Sequence, residues 1–443
     1  MIALTGGTLV EIGGRRVRRA DLVLDGDVIH SVGEAPAHVQ RIDCAGALVL
    51  PGMVCAHTHL YSALARGMPP PQAAPRSFVE ILERVWWKLD RALDAEAIQV
   101  SALVGAVEAA RAGTSTLFDH HASPACIDGS LDLVGDALER VGLRGVLCYE
   151  VTDRGGADEA QAGLHENDRF LRGLTSLVYS DPSVRTIGGA PLARRQRPLL
   201  RGMVGAHAGF TLGHATTVAL ADVAVRRDAG VHIHVAEDAV DAAHVVPARE
   251  ASIVEWLDAY RLLGPRALLA HCVHVDEEGA ARIVSSGAHV AHNPRSNCNN
   301  AVGYARPSRF GDRLVLGTDG IGADMFAEAQ AAFLAARDRG CAFDPLAALA
   351  RNHSLAAATY DAGLGRLEPG CPADVVILDY NPPTPLSEDN LFGHFIFGPG
   401  SSSVRDLIVA GKLIVRDRRV VTVDERELAA RAREVASRLW RRL

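Results

Sequence analysis

Lysine, closely spaced cysteines and long apolar runs are scarce in this sequence, and each scarcity excludes a class of protein. The only lysines are Lys88 and Lys412, the net charge is −7, and no basic run is interleaved with aromatic residues. We therefore predict no nucleic-acid partner and no binding to membrane surfaces. The eight cysteines form no Cys-x-x-Cys pair, which argues against a disulfide framework or a structural zinc site and favours a reducing compartment.

The length and the N-terminal residues complete this first set of expectations. No apolar stretch is long enough to span a membrane, and residues 1–7 lack the basic region and apolar core of a signal peptide. We therefore predict a cytoplasmic protein with no membrane contact. The chain has 443 residues, of which 48% are hydrophobic and 22% charged. That is enough for one large globular domain and a smaller one.

Short strand-like segments occur at both ends of the chain. Residues 20–24 and 28–32 flank the hairpin dipeptide Asp25-Gly26, and residues 373–378, 404–409 and 412–415 show a similar pattern. We predict that residues 1–51 and 371–423 form one small β-sandwich domain built from both termini. Residues 424–443 are predicted to be an Arg-rich amphipathic helix that packs on the body or on a partner subunit.

Between the two ends, apolar strands alternate with Ala-rich helical stretches. Residues 95–112 are predicted to be a helix, with Asp94 as its N-cap and Gly113 just past its end, and residues 114–119 follow as a strand. This alternation continues over about 300 residues and indicates a parallel α/β architecture. We predict a (β/α)8 TIM-type barrel over residues 52–370, with the site at the carboxyl ends of the strands. Residues 182–200, rich in Pro, Gly and Arg, are predicted to be a surface loop.

Four predicted strands end in side chains that suit a metal or acid-base chemistry. They are followed by His57-Thr58-His59, by His234 and Glu237, by His271 and by Asp319. Residues two apart on a strand share a face, so His57 and His59 present their imidazoles together. Three imidazoles and one carboxylate hold a divalent ion and leave a position for water, whose pKa such an ion lowers. Glu237 is placed to move protons, and His271 to stabilise charge.

Each of these signals also has a structural interpretation. A lone His-x-His motif is as compatible with two structural histidines as with a metal site. His232 is more readily a buried neighbour of His234 than a ligand, and His274 fits an outer or a structural role. Asp319 alone would serve as a turn or helix cap before Gly320. Four such strand ends in order are difficult to explain structurally.

Taken together, these stretches resemble the amidohydrolase superfamily, in the aminohydrolase branch that includes guanine, cytosine and S-adenosylhomocysteine deaminases and triazine hydrolases. The matching segments span most of the chain: Pro51–His59, His234–Glu237, Ala270–His274, His292–Asn297, Gly317–Asp319 and Gly365–Gly370. The nearer resemblance is to the SsnA-type aminohydrolases, through residues 59–67, 86–90, 118–124 and 297–304.

The resemblance implies roles for particular residues. His57, His59, His234 and Asp319 would bind one divalent metal, with zinc expected and iron or manganese as alternatives. Glu237 would shuttle protons, His271 would assist, and Asp319 would also take the proton of the water. Two-metal members of the superfamily bridge their ions with a carboxylated lysine on the fourth strand, a position that neither lysine of this sequence can fill.

The same resemblance suggests a set of substrate-binding residues at the strand ends: His207, His121, Glu150, Asp153 and Arg154. For Asp153 and Arg154, a surface ion pair is an equal alternative. The segment 206–214 departs from the Pro-His-Ser-Pro-Tyr type found in deaminases of known substrate, which weakens any transfer of an adenosine-type substrate. A homodimer is expected by resemblance alone.

We therefore predict a mononuclear metal-dependent hydrolase that deaminates an amino-substituted, purine- or pyrimidine-like heterocycle with release of ammonia. Hydrolysis of another C–N bond or of a C–halide bond is an alternative. A non-catalytic metal-binding protein is the alternative from a different class. The His-x-Glu and Pro-Cys-x-x-Cys signature of cytidine-type zinc deaminases is absent.

Overall fold

The computed structural model describes residues 1–175, 198–243 and 252–443. Most of the predicted loop 182–200 lies outside these ranges, although Leu200 is buried and begins a strand. None of the helices in the described ranges combines the length and the hydrophobicity of a membrane-spanning helix.

Two parallel sheets form the centre of the fold. Their strands are β8 (Met53–Thr58), β9 (Thr114–His121), β10 (Arg144–Tyr149), β11 (Leu200–Gly202), β12 (Val204–Ala208), β13 (Val231–Val235), β14 (Leu268–His271), β15 (His289–His292) and β16 (Leu314–Leu316). One sheet has the order β11-β10-β9-β8 and the other β12-β13-β14-β15-β16. Strand order follows chain order, as it does when each parallel strand is connected to the next by a helix.

Two isolated parallel bridges connect these sheets. Val151, just after β10, pairs with Ala206 of β12, and Asp319, just after β16, pairs with Thr58 of β8. The first and last parallel strands are therefore neighbours. The chain has a TIM-barrel-like α/β fold, in which the carboxyl ends of the strands meet at one face.

The helices cover the outside of the parallel strands and extend to the C-terminus. Their bounds are Phe78–Ile81, Trp87–Ala92, Ala95–Arg111, Ser130–Val141, Ala157–Thr175, His214–Arg227, Ile253–Ala259, Glu277–Ser286, Pro294–Asn299, Met325–Asp338, Pro345–Tyr360, Leu391–Phe397 and Glu425–Trp440. Asp94 caps the third of these as predicted, because its carboxylate accepts from the Ala97 N–H at 2.8 Å. The last helix, Glu425–Trp440, packs on the helix Ala95–Arg111. Its Trp440 Nε1 donates to the Leu64 carbonyl at 2.9 Å.

The terminal segments form two further sheets that share buried apolar residues. Their strands are β1 (Ile2–Thr5), β2 (Thr8–Glu11), β3 (Arg16–Arg19), β4 (Asp21–Asp25), β5 (Val28–Gly33), β6 (Gln40–Asp43), β7 (Leu48–Pro51), β17 (Val375–Leu378), β18 (Val404–Val409), β19 (Lys412–Arg416) and β20 (Arg419–Val420). The orders are β5-β4-β1-β6 and β20-β19-β18-β17-β7-β2-β3. Strand β7 pairs antiparallel with β17, so segments from opposite ends of the chain occupy one sheet. Leu4, Leu22, Val49 and Val375 belong to one apolar cluster between these sheets.

Candidate metal centre

Four potential ligands converge where the parallel strands end. His57 belongs to β8, His59 follows it, His234 belongs to β13, and Asp319 follows β16. One ligand atom from each residue lies within 4.8 Å of the others, and the three histidines are buried. Strands far apart in sequence thus bring three imidazoles and one carboxylate to one point.

The hydrogen bonds of two of these histidines fix which ring nitrogen is free. His59 Nδ1 lies 2.6 Å from the His120 carbonyl, and His234 Nδ1 lies 2.9 Å from the His207 carbonyl. A carbonyl only accepts, so each Nδ1 carries a proton and donates it, and Nε2 is the nitrogen that remains for a metal. The two Nε2 atoms face each other at 3.2 Å.

His57 is oriented by a neighbouring histidine instead of a carbonyl. Its Nδ1 lies 2.8 Å from Nε2 of His232, while its own Nε2 is buried and has no hydrogen-bond partner among the described residues. If Nε2 is to act as a ligand, Nδ1–H must donate to His232. His232 then carries its proton on Nδ1, which lies 3.7 Å from the Cys148 sulfur.

These donor atoms fit a divalent cation. Asp319 Oδ1 lies 2.9 Å from His59 Nε2 and 3.6 Å from His57 Nε2, so ring nitrogens and a carboxylate share one small volume that a positive charge stabilises. Burial lowers the pKa of His57 to about 3. Burial also opposes protonation of His59, but the Asp319 carboxylate outweighs it and raises the pKa of His59 to about 9. A set of imidazole nitrogens with one carboxylate is typical of zinc and related ions.

The backbone at the site adopts uncommon conformations. Asp319 has φ 53° and His271 has φ 71°, in the left-handed region that residues other than glycine rarely occupy. Gly317 is required for close packing, because a Cβ there would lie 2.7 Å from the His57 Cβ. Such strain occurs at functional sites when the surrounding structure holds it in place.

A second group of side chains lies beside the candidate ligands. Glu237 Oε2 lies 3.6 Å from His271 Nε2, and burial raises the pKa of Glu237 above its ordinary value. Both residues have a ligand atom within 4.8 Å of Asp319. A carboxyl group with a raised pKa can both accept and donate a proton near neutral pH.

The helix Pro294–Asn299 and the residue after it support this second group. Asn297 Oδ1 lies 2.8 Å from His271 Nδ1, and Asn300 Nδ2 donates to Glu237 Oε1 at 3.2 Å. Ser296 Oγ donates to Asp319 Oδ2. One short segment therefore orients three of the residues predicted to act in the reaction.

A cleft opens from the centre. Two of the predicted substrate-binding residues, His207 and Glu150, line it. Arg154 is buried behind them and pairs with Asp90 at 2.8 Å, so it forms no surface ion pair with Asp153.

The other two predicted substrate-binding residues lie outside the cleft lining. The His121 ring nitrogen Nε2 lies 2.9 Å from Ser123 Oγ. Asp153 accepts from Thr216 Oγ1 and from the Gly213 N–H, both at 2.6 Å, which anchors the start of the helix His214–Arg227. The structure thus places these two residues in supporting contacts.

Several residues contribute to the site although the sequence patterns did not assign them to it. His232 supports His57, Asp90 lines the cleft, and Asn297 and Asn300 orient other side chains. His120 also lies here, with its Nδ1 3.4 Å from Glu150 Oε2. The segments that contain them were visible in the sequence, but their partners come from distant strands.

A TIM-barrel-like fold with three histidines and an aspartate at the carboxyl ends of its strands is typical of metal-dependent hydrolases. A scan of protein families supports this class, because the model described as "Amidohydrolase family" matches residues 48–414. The chain belongs to the amidohydrolase family, which confirms the superfamily predicted from the sequence. The nearer resemblance to SsnA-type aminohydrolases stays a prediction.

The chain is similar over most of its length to three proteins whose names give different activities. A 5-methylthioadenosine/S-adenosylhomocysteine deaminase from Desulforudis audaxviator is 30% identical over 414 residues, which cover 90% of this chain and 89% of the relative. An adenosine deaminase from Xanthomonas campestris with bound zinc has a TM-score of 0.81 at 22% identity, with 99% and 98% of the two chains covered. An atrazine chlorohydrolase from Arthrobacter aurescens complexed with zinc has a TM-score of 0.79 at 21% identity, with 98% and 100% covered.

Proposed function

We propose that this protein is a mononuclear metal-dependent hydrolase that removes an amino group from a heterocycle as ammonia. The observation that carries the proposal is the convergence of His57, His59, His234 and Asp319, with the Nε2 atoms of His59 and His234 facing each other at 3.2 Å. Zinc is the proposed ion, since the donor set suits it and both solved relatives described above contain it.

The residues around the centre supply the proton transfers. When bound, a divalent ion at this centre lowers the pKa of a coordinated water and so supplies a nucleophile at neutral pH. Asp319 and Glu237 accept protons from the attacking water. Glu237 returns a proton to the leaving nitrogen, and Asn300 holds its Oε1 in place. His271 donates its Nδ1–H to Asn297 Oδ1. Its Nε2 is directed to the charge that develops on the attacking water and on the intermediate.

We further propose that the substrate ring occupies the aromatic cleft between His207 and Glu150. The curated relative described above is named for deamination of adenine nucleosides, which supports a nitrogen heterocycle as the substrate. Arg154, His121 and Asp153 support the lining from behind, through contacts with Asp90, Ser123 and the helix His214–Arg227.

A second candidate function is displacement of a different leaving group. The atrazine chlorohydrolase described above shares the fold at 21% identity, and the same geometry would serve for a ring carbon that bears a halide. The non-catalytic alternative is less well supported, because Glu237 and His271 have their own hydrogen-bond partners beside the ligands. A protein that only stored metal would not require them.

The domain organisation and the partners are also proposals. The bridges at Val151 and at Asp319 support a closed (β/α)8 barrel over residues 52–370. The shared apolar cluster supports a β-sandwich from residues 1–51 and 371–423, with residues 424–443 as a separate C-terminal helix. We propose a cytoplasmic homodimer that acts on small molecules and binds no nucleic acid, in agreement with the net charge of −7.

Ammonia release by metal-quantified protein tests the proposal. A panel of amino-substituted purines, pyrimidines, pterins and triazines should contain a substrate, and Glu237→Gln should lower kcat by about 100-fold or more while zinc content stays unchanged. Glu278→Gln is the matched control, since its side chain is 83% exposed, lies 3.8 Å from Arg282 and does not line the cleft. Protein that binds no metal, or a Glu237→Gln variant with full activity, would refute the mechanism. Halide release without ammonia would favour the second candidate.

A further inference from the structure

The cleft beside the candidate metal centre is rich in acidic side chains. Six carboxylates line it, and among its described lining residues there is no arginine or lysine: Asp90, Glu150, Glu237, Asp238, Asp241 and Asp319. Asp319 belongs to the proposed metal site, and Glu237 to the proton transfers. Glu150 has no role in the chemistry proposed above, although it approaches the centre closely.

Glu150 approaches the centre beside a different candidate ligand from Glu237. A carboxylate oxygen of Glu150 and a ring nitrogen of His234 lie within 4.8 Å of each other, while Glu237 lies within the same distance of Asp319 and His271. Both carboxylates line the cleft, so a substrate ring that reaches the centre through it meets Glu150 as well as Glu237.

The surroundings of Glu150 leave its carboxylate short of hydrogen bonds. Its side chain is 5% exposed, and its nearest polar partners are His120 Nδ1 at 3.4 Å and Arg154 Nη2 at 3.6 Å. Both contacts are longer than a normal N–H···O hydrogen bond. His120 Nε2 faces the carbonyls of Ala206 and His232 at 3.0 and 3.2 Å, so this nitrogen carries a proton and donates to them.

Arg154 does not neutralise Glu150 fully. Its Nη2 donates to Asp90 at 2.8 Å, which is the shorter of its two carboxylate contacts. One cation thus faces two buried carboxylates, and the excess negative charge remains on the cleft side. A buried carboxylate in this condition is stabilised by an N–H donor from a ligand, and it disfavours a ligand atom with a lone pair.

The walls of the cleft suit a flat ring. Trp86, Trp87, Phe78 and Phe210 line it, and Arg154 stacks over the Trp87 ring at 4.7 Å from the centroid. Aromatic walls bind planar heterocycles through their faces and leave the ring edge to polar groups. The edge that meets Glu150 must then match a hydrogen-bond acceptor.

We propose that the substrate is a cyclic guanidine, in which the carbon that loses its amino group is flanked by a ring N–H that donates to Glu150. This inference rests on the proposed deaminase function and narrows its substrate class. Heterocycles in which the only ring nitrogen next to the amino-bearing carbon is unprotonated, as in adenine and cytosine, have no ring N–H there and would place a lone pair against Glu150. They are disfavoured as substrates for this chain.

Two isomers give a matched test. Isocytosine carries its amino group beside a ring N–H, cytosine carries it beside an unprotonated ring nitrogen, and deamination of either gives uracil. Uracil and ammonia formation by zinc-loaded protein is measured for both isomers, with guanine and adenine as a second pair. We expect kcat/KM for isocytosine to exceed that for cytosine by about 100-fold or more.

Glu150→Gln separates recognition from structural damage, because a glutamine amide can donate to a lone pair as well as accept. The variant should lose about 10- to 100-fold in kcat/KM on isocytosine, and it should lose less, or gain, on cytosine. Glu278→Gln again serves as the control exchange and should leave the ratio of the two substrates unchanged. A fall in both activities by the same factor would indicate damage to the site and would overturn the assignment of Glu150.

A binding measurement distinguishes failure of this inference from failure of the deaminase proposal. The thermal unfolding of zinc-loaded protein is recorded with isocytosine and with cytosine, for wild type and Glu150→Gln. If neither isomer releases ammonia but isocytosine alone raises Tm, and Glu150→Gln abolishes that rise, the assigned ligand class stands and the deaminase proposal fails. Turnover of cytosine equal to that of isocytosine, or no binding of isocytosine, overturns the inference.

Discussion

His232 offers a sharp test of how the protein prepares its metal centre. Its Nε2 lies 2.8 Å from His57 Nδ1 and is the acceptor that keeps the other nitrogen of His57 free. Both rings are buried, so no water replaces this acceptor when it is removed. His232→Leu introduces an apolar side chain of similar size and leaves the His57 Nδ1–H without a hydrogen-bond acceptor.

The magnitude follows from the cost of an unpaired buried donor. Such a group costs about 1–3 kcal/mol, which corresponds to a loss of about 5- to 150-fold in zinc affinity. The value agrees with the 10- to 100-fold losses typical of removing an outer-shell partner of a metal ligand. His232→Gln restores an acceptor oxygen and should recover part of the affinity.

Zinc affinity would be measured by competition with a chromophoric chelator near neutral pH, with circular dichroism to confirm folding. His289→Leu is the matched control, because His289 begins β15 at the end of the strand opposite the site. That exchange should leave zinc affinity unchanged. If His232→Leu bound zinc within about threefold of wild type, the proposed orientation of His57 would be wrong.

Three further predictions concern stability and proton transfer. Asp374→Ala removes the partner of the buried Arg144, which Asp374 binds at 2.7 and 3.0 Å. The free energy of unfolding in urea should fall by about 3–5 kcal/mol, and an apolar replacement of both residues should recover most of that loss. A loss below about 1 kcal/mol for Asp374→Ala would contradict the argument. Asn300→Ala removes the donor to Glu237, so kcat should fall about tenfold or more. The acid limb of the pH profile of kcat/KM should also move to higher pH, whereas an unchanged profile would indicate that Asn300 has a structural role. Burial raises the pKa of Asp241 from 3.8 to about 7, so the folded state binds more protons over that range and the free energy of unfolding falls as pH rises through it. Asp241→Asn should flatten that fall in urea titrations, and an unchanged slope would assign it to other groups.

The elements and the ligands were predictable because their signals are local. A strand that ends in His-x-His, or in an apolar run followed by Thr318-Asp319, shows its side chains without knowledge of its neighbours. The helix that Asp94 caps also follows from adjacent residues. The order of the parallel strands follows from their alternation with helices.

The supporting contacts were not predictable in this way, because each depends on register between distant segments. His232 was predicted to be a buried neighbour of His234, and only the pairing of β13 with the rest of the barrel face brings it to His57, 175 residues away. Arg154 pairs with Asp90 across 64 residues, and not with the adjacent Asp153. Nothing in a single sequence encodes which of several nearby carboxylates a buried arginine will contact.

Two buried carboxylates near the same centre differ in a way that divides the proposed chemistry between them. Burial raises the pKa of Glu237, and its Asn300 hydrogen bond is too weak to reverse this. Burial also opposes ionisation of Glu150, but contacts with His207, His120 and Arg154 outweigh it and hold the pKa of Glu150 below its usual range. A pair of acids whose environments drive their pKa values apart takes different roles. The raised pKa of Glu237 suits proton exchange and the lowered pKa of Glu150 suits an acceptor of hydrogen bonds, in agreement with the roles that their positions in the cleft support.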